Sequence, residues 1–199
     1  MMVNLKKGQK VNLRKEDGST LHHVMVGLGW DPAEKSGGFL SSFFGGNADI
    51  DCDASVMLLK DGHFRSADDL VFFNNLEHAS GAVKHMGDNL TGEGEGDDEQ
   101  VFVDLDRVPA AYDKLVFVVN IYQAKKRNQH FGMIKNAFIR IVDSDTNREF
   151  CRYNLSENYD NMTALICGEI YRYKGEWKFN AIGQATQDDG LNPLAKRFL

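Results

Sequence analysis

The chain has 199 residues, 42% hydrophobic and 26% charged, which is enough apolar content for a single globular domain over 1–199. A formal net charge of −6 and a pI near 5.5 supply no global positive field for a phosphate backbone, which excludes nucleic acid as the default partner. No apolar run approaches the roughly 18 residues of a membrane span, the N-terminus has no signal-peptide apolar region, and three cysteines without close doublets speak against structural zinc; a cytoplasmic, reducing location is expected.

Strand-like segments rich in β-branched and aromatic residues follow one another along the chain. They cover 10–14, 21–28, 55–59, 70–73, 100–105 and 115–122, then 134–142, 149–155, 164–173 and 176–182. Turn residues separate them, most clearly Asp143-Ser144-Asp145-Thr146-Asn147-Arg148 and Tyr173-Lys174-Gly175-Glu176-Trp177, which read as hairpin connections. The series predicts an all-β chain, an antiparallel β-sandwich with long acidic loops and little helix. Helix is expected only as a turn opened by Pro109 within 108–114 and as a short terminal piece at 192–197. Residues 35–48, with Phe39, Phe43 and Phe44, and the Gly- and acid-rich residues 87–99 read as loops.

The stretch from Asp88 to Asp106 holds eight carboxylates and no Lys or Arg, so its charges repel unless something positive sits among them. Glycines 92, 94 and 96 let the backbone turn tightly and aim carbonyl oxygens inward, while Asp88, Asn89, Asp97, Asp98 and Glu99 add side-chain oxygens. A donor set made only of oxygen favours calcium over zinc or copper. A second cluster, Asp49-Ile50-Asp51-Cys52-Asp53, opens a strand, where a period of two puts its carboxylates on one side and Cys52 toward the core. Asn74 and Asp31 stand where apolar runs meet loops, so that loops at one end of a sandwich converge on one or more cations. Neither acidic cluster has the glycine and bidentate glutamate positions of an EF-hand.

Catalytic signals are thin. Six scattered histidines have no serine elbow or metalloprotease helix beside them, so the chain does not read as an enzyme; a metal-dependent hydrolase lacks an identifiable general base. His85, three residues before Asp88, is the one histidine placed near the acidic stretch. Cys52, flanked by aspartates, is not expected to form a thiolate. The basic stretch Lys125-Lys126-Arg127-Asn128-Gln129-His130-Phe131 reads as a solvated loop. A competing reading is a receptor for a nucleotide or oxyanion, anchored by bound metal or by Arg127 or Arg140.

Several motifs, in this order and spacing, resemble one family. They are Val3-Asn4-Leu5-Lys6-Lys7-Gly8, Val26-Gly27-Leu28-Gly29-Trp30-Asp31, Asp51-Cys52-Asp53-Ala54-Ser55 and Val71-Phe72-Phe73-Asn74-Asn75. They continue through His85-Met86-Gly87-Asp88-Asn89-Leu90-Thr91-Gly92, Gly96-Asp97-Asp98-Glu99, Asn136-Ala137-Phe138-Ile139-Arg140 and Gly175-Glu176-Trp177-Lys178-Phe179. Over nearly its whole length the chain resembles the TerD family of bacterial tellurium-resistance and stress proteins, related to a slime-mould cAMP-binding protein. The resemblance implies a calcium-binding β-sandwich with two or more ions and a non-enzymatic role in tellurite, chemical and phage stress. It also implies partners among other stress-response proteins, in a membrane-associated complex. The acidic motif positions that carry over are Asp31, Asp51, Asp53, Asn74, Asp88, Asn89, Asp97, Asp98 and Glu99. The chain departs from the family pattern at Tyr122, Gln123, His130 and Met133.

Overall fold

A computed structural model describes residues 2–32, 50–87 and 96–199. Two six-stranded sheets pack face to face. The strands are β1 (Val3–Leu5), β2 (Lys10–Asn12), β3 (His23–Pro32), β4 (Cys52–Leu59), β5 (Leu70–Val71) and β6 (Val83–His85). They continue with β7 (Glu99–Asp104), β8 (Lys114–Ile121), β9 (Ile134–Asp143), β10 (Arg148–Asn154), β11 (Ala164–Tyr173) and β12 (Glu176–Thr186). The first sheet runs β1-β10-β9-β3-β7-β6 and the second β2-β12-β11-β8-β4-β5. Every pairing is antiparallel except that of β1 with β10. The all-β sandwich expected from the strand series is therefore the fold.

The pattern of each strand explains its place. In β12, Trp177, Phe179 and Ala181 alternate with more exposed residues and face the inter-sheet core. β8 is apolar on both faces. Leu115, Phe117, Val119 and Ile121 enter the main core, whereas Val116 and Val118 join a second cluster with Met57, Leu59, Ile166 and Leu194. Leu194 belongs to α2 (Leu191–Ala195), which covers that outer face and runs into a 3₁₀ turn over Lys196–Phe198. Burying a side chain such as Phe117 contributes about 2–3 kcal/mol. The hairpin joining β11 to β12 turns through Lys174 and Gly175, at φ 52° and 79°, the two successive positive values that a tight two-residue turn requires.

Three local expectations change. No helix forms at 108–114, where the Tyr112 N–H bonds to Pro109 O in a single turn and Arg172 takes the carbonyls of Val108 and Tyr112. The basic stretch read as a loop contains one helical turn, α1 (Ala124–Arg127), ended by Asn128 in the left-handed region. The short strands β1 and β6 fall outside the segments read as strands.

Candidate functional site

One end of the sandwich gathers the close of β3, the opening of β4, the opening of β7 and the close of β8. The Glu99 side chain joins the two sheets there: its Oε2 accepts from the Ala54 N–H at 2.7 Å and lies 3.0 Å from His85 Nε2. Gly87 N–H donates to His85 Nδ1 at 3.0 Å, which leaves the ring proton on Nε2 to be given to Glu99. Glu99 and His85 are both buried because β7 and β6 alternate inward there.

Asp98 extends the pairing of β7 with β3, its N–H bonding to Leu28 O, and its Oδ2 accepts from the Trp30 N–H at 2.6 Å. Burial pushes its carboxyl upward; the Trp30 hydrogen bond opposes this, and the fields of Asp31 and Asp97 add to the rise. Asp31, closing β3, is held by the Asn136 side-chain amide at 2.8 Å. Asp97 has a different partner. Both of its oxygens are taken by the Arg140 guanidinium, and Gln100 Nε2 adds a contact at 3.2 Å.

Asp51 and Asp53 flank Cys52, whose side chain enters the main core. Burial raises the Cys52 thiol well above its usual range, and the fields of Asp53, Asp51, Glu99 and Asp98 raise it further. The fields of carboxylates from both sheets thus reach this one thiol. Asp53 pairs across the ladder with Asn120. Asn120 Oδ1 and Ser55 Oγ are buried, and neither has a hydrogen-bond partner among the described residues. Asn120 is the penultimate residue of a mostly apolar strand, and that lone amide in β8 is the sequence signal that could have singled it out.

The remaining positions stand apart. Asn74 lies exposed in the turn after β5, where the neighbouring Asn75 is the one tied inward, through its amide to Leu70 O. Asp88 and Asn89 lie outside the described residues, as do the glycines at 92 and 94 and the Phe39, Phe43 and Phe44 loop. Among the described residues no group of three or more His, Cys, Asp or Glu is placed to hold a metal ion.

Two arginines at this end have protein partners. Arg140 spends Nε and Nη2 on Asp97 and Nη1 on Glu149. Arg127 lies 3.9 Å from Asp51 and 5.1 Å from the Tyr122 ring centre. All three cysteines are free and buried.

This architecture has relatives. The chain is 51% identical over 200 residues to the stress response protein SCP2 of Bacillus subtilis (strain 168), covering 100% of each chain. It is 46% identical to the tellurium resistance protein TerD of Serratia marcescens, over 92% of this chain and 91% of that one. A crystal structure of a homologue of telluride resistance protein (TerD) from Streptomyces coelicolor A3(2) shares the fold with a TM-score of 0.60 at 21% identity, covering 87% of this chain and 94% of that one. The model of the TerD domain matches residues 1–198, and with these relatives it makes the chain a member of the TerD family.

Proposed function

We propose that this chain is a calcium-binding, non-enzymatic protein of bacterial tellurite and general stress resistance. The observation that carries the metal reading is the placement of Asp31, Asp51, Asp53 and Asp98 at one end of the sandwich, with Asp53 opposite Asn120, whose buried oxygen has no hydrogen-bond partner among the described residues. Oxygen donors alone, with several carboxylates, suit a hard cation such as calcium. Asp97 and Glu99 fit a supporting role better: Arg140 takes both Asp97 oxygens, and Glu99 is tied through one oxygen to Ala54 and His85 across the two sheets, whereas Asp31 and Asp98 each give one oxygen to a single protein donor. Asp31, Asp51, Asp53, Asp98 and Asn120 would hold the ions, completed by Asp88 and Asn89 from the acidic loop.

A bound cation would relieve the repulsion that raises the Asp98 carboxyl, where β3 closes and β7 opens. That end of the sandwich would then present a surface to other stress-response proteins, in a membrane-associated complex. The resistance role rests on what the relatives are named for: one a stress response protein, another a tellurium resistance protein.

Calorimetric titration of calcium into chelator-treated protein tests the metal reading. Binding heat and a calcium-dependent rise in melting temperature are expected, both lost in Asp53→Asn and Asp98→Asn and kept in Asp61→Asn, an exposed turn residue. No heat and no thermal shift at millimolar calcium overturn it.

A further inference from the structure

The opposite end of the sandwich carries a cavity of about 350 Å³, with Arg14, Thr20, His22, Arg172 and Trp177 in its walls. Those walls come from the hairpin bridged at Arg14 and Thr20, the turn after β7, and the β11–β12 connection, all within the described residues. Two carboxylates, Asp106 and Glu176, also line it, and each already has a side-chain partner. His22 Nδ1 stands 2.7 Å from Asp106, and Arg14 pairs with Glu176.

Arg172 differs from these. Its Nε and Nη2 donate to the carbonyl oxygens of Tyr112 at 3.2 Å and Val108 at 2.5 Å, and its guanidinium lies 4.2 Å from the Trp177 ring centre. It forms no ion pair among the described residues. Neutral carbonyls orient a guanidinium but leave its charge uncompensated, and they leave Nη1 with donor capacity. Burial shifts its pKa downward, with no carboxylate opposing the shift. Partly buried charge without a counter-ion is costly and is ordinarily offset by an ion of opposite sign.

We propose that this cavity binds a small oxyanion or carboxylate, held by the Nη1 edge of Arg172 with Arg14 and the Thr20 hydroxyl as further contacts. The carbonyl fork pre-sets the guanidinium, so the anion meets an oriented donor instead of a mobile side chain. The cavity volume limits the ligand to a small molecule. Because Trp177 lies against Arg172 and bonds through Nε1 to Leu105 O, its fluorescence reports on the site.

The full chain carrying Trp30→Phe, with Trp177 as its sole indole, would be titrated with inorganic phosphate and separately with acetate, with sodium chloride holding ionic strength constant. A saturable change in emission is expected with at least one of the two anions. Phosphate alone identifies a tetrahedral oxyanion site and acetate alone a carboxylate site. The midpoint should weaken about tenfold in Arg172→Gln and severalfold in Arg14→Gln, and stay unchanged in Asp53→Asn at the acidic end. If Arg172→Gln does not fold, Arg14→Gln and Thr20→Val decide the matter, since Arg14 lies on the surface. No saturable response beyond the chloride control, or a midpoint unmoved in every folded variant, overturns the proposal.

Discussion

Arg140 closes a two-pronged grip on Asp97, Nε at 2.7 Å from Oδ1 and Nη2 at 2.9 Å from Oδ2, over the bare backbone of Gly27. A Cβ on Gly27 would stand 2.2 Å from Asp97 Oδ1, so this ion pair exists because β3 carries no side chain there. The Asp97 side chain is fully enclosed, while that of Arg140 keeps 25% of its exposure. Gly27→Ala and Asp97→Ala should each lower stability by about 3 kcal/mol, the scale for breaking one partner of an enclosed pair. Because both disrupt the same contact, the double variant should cost clearly less than the two effects added. Urea denaturation of the three variants checks this, and simple additivity would refute the coupling.

Asp98 gives a pH dependence whose sign follows from burial. Its folded carboxyl is raised above the ordinary 3.8. The folded state therefore holds the proton more tightly than the unfolded chain, and this group's contribution to stability is fully present below the unfolded value. That contribution is lost as pH rises through the folded pKa. In chelator-treated protein, Asp98→Asn should be more stable than the parent near pH 7, because it removes a charge crowded by Asp31 and Asp97 and keeps an acceptor for the Trp30 N–H. Its advantage should shrink toward about pH 4. Parallel denaturation curves of both proteins across that window are the measurement; a variant less stable than the parent at pH 7 would show that crowding is absent. A residue kept at a cost to the empty fold is the pattern expected of a binding group.

The residues differ in how much of this their sequence disclosed. β8 and β12 were legible because their periodicity is local: eight mostly apolar residues from Lys114 to Ile121, and strict alternation after Trp177. The acidic runs were legible as places where negative charge accumulates. Which carboxylates carry protein partners was not, since Asp97 meets Arg140 only through the registers of β3, β7 and β9, which set distant residues side by side. The missing helix after Pro109 has the same origin, because Arg172 takes the Val108 and Tyr112 carbonyls from 60 or more positions away. β1 and β6, three residues each, are too short to display a period.

Glu99 joins the sheets through one buried oxygen, so its replacements should rank by the acceptor they retain. Glu99→Gln can still accept from the Ala54 N–H, whereas Glu99→Ala leaves that donor and His85 Nε2 without their acceptor. Unsatisfied buried donors cost about 1–3 kcal/mol each, so the alanine variant should be the less stable by at least about 2 kcal/mol. Guanidinium denaturation separates them. Equal midpoints would mean that packing around Glu99 matters more than its hydrogen bonds.

Asn120 separates a structural amide from a metal-facing one. Its Oδ1 is buried without a partner among the described residues, and its backbone lies opposite Asp53 in the β4–β8 ladder. If the amide served the fold, removing it would destabilise the protein by about 1 kcal/mol or more, as the loss of a made hydrogen bond does. If it serves a cation, the empty protein gains nothing from the oxygen, because a buried acceptor left unbonded is itself a cost. Asn120→Leu, which keeps the side-chain volume and drops the polar atoms, should then leave chelator-treated protein as stable as the parent or slightly more so. Calcium should raise its melting temperature less than it raises that of the parent, since stabilisation by a ligand follows its affinity. Paired thermal melts with chelator and with calcium distinguish the two roles: loss of stability in chelator with an unchanged calcium response would remove Asn120 from the site.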